Sequence, residues 1–171
     1  RGGGAASEST QVPYALFGGG NFYANRHGIE WFVDNVASKS PLRTVVVGNG
    51  FDGMKGRLER NGNVEVIGGV DDLAPWYLGA SVVIAPIFDG SGMKTKVAEA
   101  LMYGKQVIGT PEAFVGYEAV AADVGVVCST HAEFLAGRAW STGRLPCTHI
   151  CAASTCSGTL MMPQKRSWLR Y

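Results

Sequence analysis

SVVIAPIFDGSGMKTKVAEALMYGKQVIGT (residues 81–110) reads as a strand, a glycine loop, a helix and a second strand. Ser81–Ala85 is an apolar, β-branched run without polar alternation, as expected of a strand covered on both faces. Pro86 and the glycines at 90 and 92 break it. Ser91 or Gly92 then opens a helix with Met93, Val97, Ala100 and Leu101 on its inward side, and Gly104 is its left-handed stop. Gln106–Ile108 is the following strand. Strands joined by a helical crossover run parallel.

The same rhythm extends outward from this unit. Tyr14–Phe17, Thr44–Val47 and Val64–Ile67 are further strand runs, and Gly125–Val127 is a sixth. Asn25 or His27 opens a helix carrying Ile29, Phe32, Val33 and Val36 as one stripe, with Pro41 ending it. Asp71 is the expected cap of a helix with Leu73, Trp76, Tyr77 and Leu78, and Pro75 falls in its first turn. This alternation predicts an α/β fold: an open, mostly parallel, Rossmann-like sheet with helices on both faces. Ligands of such sheets sit beyond the carboxyl ends of the strands. The loops at 18–25, 48–53, 68–72 and 86–92 are therefore where function is expected.

The length of 171 residues suits one domain, and 46% hydrophobic against 17% charged residues is enough for a packed core. Residues 13–137 are expected to form the domain. Residues 1–12 are glycine-rich and read as a linker or disordered N-terminus. Residues 138–171 show no sustained period and read as an irregular tail, disordered or foreign to the domain. The net charge of +1 gives no reason to expect a nucleic-acid partner, and no apolar run approaches the roughly 18–20 residues that span a bilayer. Cys147, Cys151 and Cys156 with His149 have possible metal-ligand chemistry but lack paired C-x-x-C knuckles; free thiols in a reducing cytosol are the other reading. No metal or cofactor is expected.

Two loops have the composition of an anion site. Gly18, Gly19 and Gly20 lie between a strand and a helix, where backbone can approach a phosphate closely. The dinucleotide pattern G-x-G-x-x-G with a later acid is not matched, which argues against a nicotinamide enzyme. Gly90, Ser91 and Gly92 precede the helix that carries Lys94, Lys96 and Glu99. A helix start and a lysine suit a diphosphate, and an ionised glutamate one turn on suits a diol. The same features also describe a solvated helix start with surface lysines. In a regular helix Lys94 and Lys96 point about 200° apart, so one phosphate cannot take both. Lys96 shares the side of Glu99 and is the expected ligand-side cation.

Residues 86–118 resemble the signature region of the glycosyltransferase family 4 type. Its pattern runs G-x-G-x-[RK]-x-K-x-x-E-A, then G-x-[PQ]-V-[IV]-x-T. Here it reads Gly90-Ser91-Gly92-Met93-Lys94-Thr95-Lys96-Val97-Ala98-Glu99-Ala100, then Gly104 to Thr110. Asn63–Pro86 and Phe17–Phe32 are similar to the segments that precede it in that family, so the likeness covers about Tyr14 to Phe134. It implies the C-terminal donor-binding domain of a two-domain (GT-B) retaining glycosyltransferase, with a nucleoside-diphosphate sugar as substrate. The acceptor would be held by a separate N-terminal domain, the fragment alone would transfer nothing, and the setting would be cytoplasmic polysaccharide assembly. Any membrane association would come through the other half, at the inner face.

By the same resemblance Glu99 would hold the ribose hydroxyls. Gly90, Ser91, Gly92 and Met93 would lie against the diphosphate and sugar, Lys96 would meet the phosphate, and Val70 and Leu73 would flank the base. The first glutamate of the family's E-x7-E element has no counterpart, since Ser91 stands eight residues before Glu99. Asp89 is the neighbouring carboxylate that would stand in. The Arg…Lys phosphate pair of the first helix is incomplete, with Asn25 and Arg26 but no lysine. A nucleotide-sugar epimerase and a non-catalytic nucleotide-binding module are the alternatives on the same architecture.

Overall fold

A computed structural model describes residues 12–90, 94–136 and 140. Among the described residues six strands form one sheet: β1 (Tyr14–Gly18), β2 (Arg43–Val47), β3 (Val64–Gly68), β4 (Val82–Ala85), β5 (Val107–Gly109) and β6 (Gly125–Val127). Their order is β3-β2-β1-β4-β5-β6, and all five pairings are parallel. The expected open α/β sheet is therefore present, and it is parallel throughout. The central strands β1 and β4 are buried residue by residue, whereas the edge strand β3 alternates buried with half-buried positions. Its half-buried Glu65 pairs with Arg43 of β2 at 2.7 Å.

Successive strand residues point into two separate apolar layers. Ala15, Phe17, Val46, Ile84 and Ile108 pack against Ile29, Phe32 and Val33 of α1 (Tyr23–Asn35) and against Val36 just beyond it. The short helices α2 (Lys55–Leu58) and α6 (His131–Leu135) join that layer through Leu58 and Phe134. Tyr14, Leu16, Val45, Val83 and Val107 face the opposite layer, built on α3 (Ala74–Gly79), α4 (Thr95–Met102) and α5 (Ala121–Val124). Helices thus cover both faces. Trp140 belongs to the first layer, where its indole N–H donates to Phe134 O at 2.7 Å. Cys128 is buried there as a free thiol, and burial together with Glu133 pushes its pKa up to about 11. Cys147, Cys151, Cys156 and His149 lie outside the described residues.

Helix boundaries differ from the sequence expectation in four places. α1 starts at Tyr23, two residues before Asn25, whose side chain lies in the first turn and donates back to Gly20 O at 2.6 Å rather than capping. It ends at Asn35, well before Pro41, and the chain continues into a short 3-10 turn at Ala37–Lys39. α3 starts at Ala74 without a side-chain cap; Asp72 Oδ1, not Asp71, accepts the Ala74 N–H at 2.9 Å. α4 starts at Thr95, because Lys94 has a non-helical ψ of 65°. Gly104 has the expected left-handed backbone, with φ 64°. Among the described residues no helix is long and apolar enough to cross a membrane.

Candidate functional site

After β1 the chain crosses to β2 on one side, and β4 pairs with β1 on the other. The loops leaving the carboxyl ends of β1 and β4 therefore diverge, and divergence at such a switch point opens a crevice. A cavity of about 510 Å³ occupies it. Gly19, Gly20, Phe22 and Asn25 form one wall, Ala85, Ile87, Asp89 and Gly90 another, and Lys94, Thr95, Lys96 and Glu99 of the α4 start a third. Its size is ordinary for a small-molecule site.

Close backbone packing fixes these walls. A Cβ on Gly28 would lie 1.8 Å from Pro86 O, so glycine lets α1 touch the loop after β4. A Cβ on Gly48 would lie 1.9 Å from Gly19 O, which brings the loops after β1 and β2 together. Gly19 has φ 124°, open to glycine. Its N–H is already donated to Val47 O at 3.0 Å, so it is not an anion donor; a Cβ there would lie 2.8 Å from Lys96 Nζ. The glycine makes room for the lysine. Thr110 Oγ1 donates to Ile87 O and ties the β4 loop to the end of β5.

Lys96 is only 7% exposed. Its ammonium donates to Asn25 Oδ1 at 2.8 Å and sits 4.8 Å from the centre of the Phe17 ring. Desolvation lowers its pKa to about 8, and the charge of Glu99 partly offsets that shift. Lys94 also lines the cavity. The 200° separation expected of the two lysines does not hold, because Lys94 precedes the helix. Its ammonium donates to Gly90 O and to Glu112 Oε1, each at 2.6 Å. Glu99 reaches the cavity wall and accepts from the Tyr77 hydroxyl through Oε2 at 2.7 Å.

Of the residues singled out by sequence, Gly19, Gly20, Leu73, Asp89, Gly90, Lys96 and Glu99 meet at this cavity. Asp89 is exposed and accepts from or pairs with His27 Nδ1 at 3.2 Å. Gly18 does not line the cavity; it is the buried last residue of β1, beneath Tyr77. Val70 packs at the edge of the second apolar layer instead. Ser91, Gly92 and Met93 lie outside the described residues. Sequence reasoning missed Asn25 as the partner of Lys96, Tyr77 as the partner of Glu99, and Phe22, which lines the mouth at 73% exposure. The proximity of Asn25 to the glycine turn was the available signal for the first.

Residues 13–139 match the family model described as glycosyl transferases group 1. Among solved structures the chain is similar to AviGT4, a glycosyltransferase involved in avilamycin A biosynthesis, with TM-score 0.53, 22% identity, and coverage of 75% of this chain and 44% of that one. It is also similar to a chain of the GtfA/B complex, with TM-score 0.51, 21% identity, and coverage of 75% and 29%. At these identities the likeness shows the fold, and the chain spans less than half the length of either structure. A comparison with curated proteins returns no match. With the family model matched over most of its length, the chain belongs to the group 1 glycosyl transferases.

Proposed function

We propose that this chain is the donor-binding, C-terminal half of a GT-B glycosyltransferase of the family 4 type. Its cavity takes a nucleoside-diphosphate sugar, and the sugar passes with retention to an acceptor held by a second domain. The observation that carries this proposal is a buried ammonium at the switch-point cavity, Lys96, whose hydrogen-bond partner is the neutral Asn25 amide. A desolvated cation held by an amide is suited to an incoming anion. Thr95 and Lys96 begin α4, so their backbone N–H groups have no acceptor within the helix and add positive potential on the same side.

As the glycosidic bond breaks, negative charge grows on the departing diphosphate and the sugar gains oxocarbenium character. Lys96 and the α4 start would stabilise that charge without reorganising, which is the main catalytic service needed from this half. Glu99 would accept hydrogen bonds from the pentose hydroxyls, and Leu73 would lie against the base. Asp89, on the rim, would face the donor sugar in place of the missing first glutamate. The test is turnover of the intact two-domain enzyme with Lys96→Ala. The expected loss in kcat/KM is about 2–4 kcal/mol of barrier, on the order of 30- to 1000-fold. Undiminished turnover would contradict the assignment.

A further inference from the structure

Glu99 arrives at the cavity with one oxygen already engaged, since the Tyr77 hydroxyl donates to Oε2 at 2.7 Å. The two residues are 22 apart in sequence, one on α3 and the other on α4. Tyr77 is 1% exposed and stacks on Tyr103, with ring centres 5.0 Å apart and planes 13° from parallel. Beneath its hydroxyl lies Gly18, where a Cβ would come within 2.9 Å of the oxygen. Strand β1 and helices α3 and α4 thus converge on one O–H group. Burial and then the hydrogen bond to Glu99 push the Tyr77 pKa far above its ordinary value, so the hydroxyl stays a donor. It supplies one proton, and a carboxylate has about four lone-pair sites. The carboxylate of Glu99, at the cavity wall, therefore keeps acceptor capacity for a ligand.

We propose that Tyr77 is a positioning residue that pins the Glu99 carboxylate and thereby makes the cavity select a vicinal diol over a ligand lacking one of its hydroxyls. This rests on the assignment above, in which Glu99 meets the pentose of a nucleoside diphosphate. An unpinned glutamate loses rotamer freedom on meeting a ligand and can swing to water when a hydroxyl is absent. A pinned one has already lost that freedom, and it is left facing an unsatisfied position when the hydroxyl is missing. Pinning therefore raises affinity for the diol and gives nothing to the deoxy ligand, which widens the gap between them.

The experiment is calorimetric titration of the chain with UDP, GDP and ADP. The tightest binder is then compared with its 2′-deoxy counterpart in the wild type, Tyr77→Phe, Gly18→Ala and Glu99→Gln. The wild type is expected to prefer the ribose form by about tenfold, the equivalent of one lost charged hydrogen bond. Tyr77→Phe keeps the ring and its stacking. It should bind the deoxy ligand within about twofold of wild type while the preference falls to about threefold or less. Gly18→Ala displaces the hydroxyl with the tyrosine still in place and should give the same signature. Full discrimination in Tyr77→Phe alongside its loss in Glu99→Gln overturns the role of Tyr77 alone. Full discrimination in Glu99→Gln overturns the assignment of Glu99 and this inference with it. Equal loss of both affinities in both Tyr77→Phe and Gly18→Ala also overturns it, leaving Tyr77 a packing residue.

Discussion

Lys96 Nζ donates to Asn25 Oδ1 at 2.8 Å, so the buried cation of the cavity leans on an amide rather than a carboxylate. The other end of the same amide donates to Gly20 O at 2.6 Å. One side chain therefore ties the glycine turn after β1 to the start of α4, across the crevice beyond the carboxyl ends of β1 and β4.

That geometry gives stability a specific dependence on pH. Burial lowers the Lys96 pKa from 10.5 to about 8, whereas an unfolded chain keeps the ordinary value, about 10.4. Between those values the unfolded state holds more protons, so stability rises with pH there. Below about pH 8 both states are protonated and the cost of the buried charge is present in full. Lys96→Met is expected to exceed the wild type in stability at pH 7 by on the order of 1–3 kcal/mol, with the gap closing towards pH 10. Urea denaturation of both proteins at pH 7, 8.5 and 10 checks this. A gap that does not change across the series would mean that Lys96 is not the titrating group.

Asn25→Asp places a carboxylate against the same ammonium. An adjacent opposite charge favours the protonated lysine and repels an incoming anion. The carboxylate cannot donate to Gly20 O as the amide does, so the ion pair offsets a lost hydrogen bond. The unliganded variant should melt close to the wild-type temperature, while its affinity for a nucleoside diphosphate falls by about tenfold or more. Thermal melts paired with titration calorimetry separate the two effects. Unchanged affinity would show that the anion does not approach Lys96.

The strands were legible because β1, β2 and β4 are apolar runs whose local pattern and final environment agree, and Gly104 marked the end of α4 for the same reason. The start of α4 was not legible. Lys94 is held outside the helix by Glu112, an ion pair 18 residues apart that no local pattern encodes. Asn25 is a good cap residue by type, yet its amide is used between Gly20 and Lys96, 71 residues away from the latter. Tyr77 read as one more apolar stripe residue; only the packing of α3 on α4 brings its hydroxyl to Glu99. Residue identity pointed to much of the cavity wall, and tertiary contacts supplied the partners that orient it.

Gly28 is the tightest backbone contact between α1 and the loop after β4. A Cβ placed 1.8 Å from Pro86 O cannot be accommodated without moving one of them. Gly28→Ala is expected to cost about 2–3 kcal/mol. Gly53→Ala, where no atom lies within 4 Å of the new Cβ, should change stability by less than about 0.5 kcal/mol. Denaturant unfolding of the pair is the check, and equal midpoints would contradict the packing described for α1.

Asp89 sits on the cavity rim beside His27, with side chains roughly half exposed at 55% and 48%. A diphosphate has no use for this carboxylate, whereas a positively charged sugar centre does. In the intact enzyme Asp89→Asn should lower kcat by about tenfold or more and leave the donor dissociation constant within about threefold, the pattern of an interaction made in the transition state. Steady-state kinetics with independent donor titration decides it; an unchanged kcat removes Asp89 from the chemistry.

The most direct measurement is titration of this chain with UDP, GDP and ADP by calorimetry, repeated on Lys96→Ala. Saturable binding of at least one diphosphate at a single site, weakened about tenfold or more by removal of the lysine, is the predicted result. Absence of saturation with all three, or equal affinity in the two proteins, would contradict the placement of a diphosphate at the start of α4.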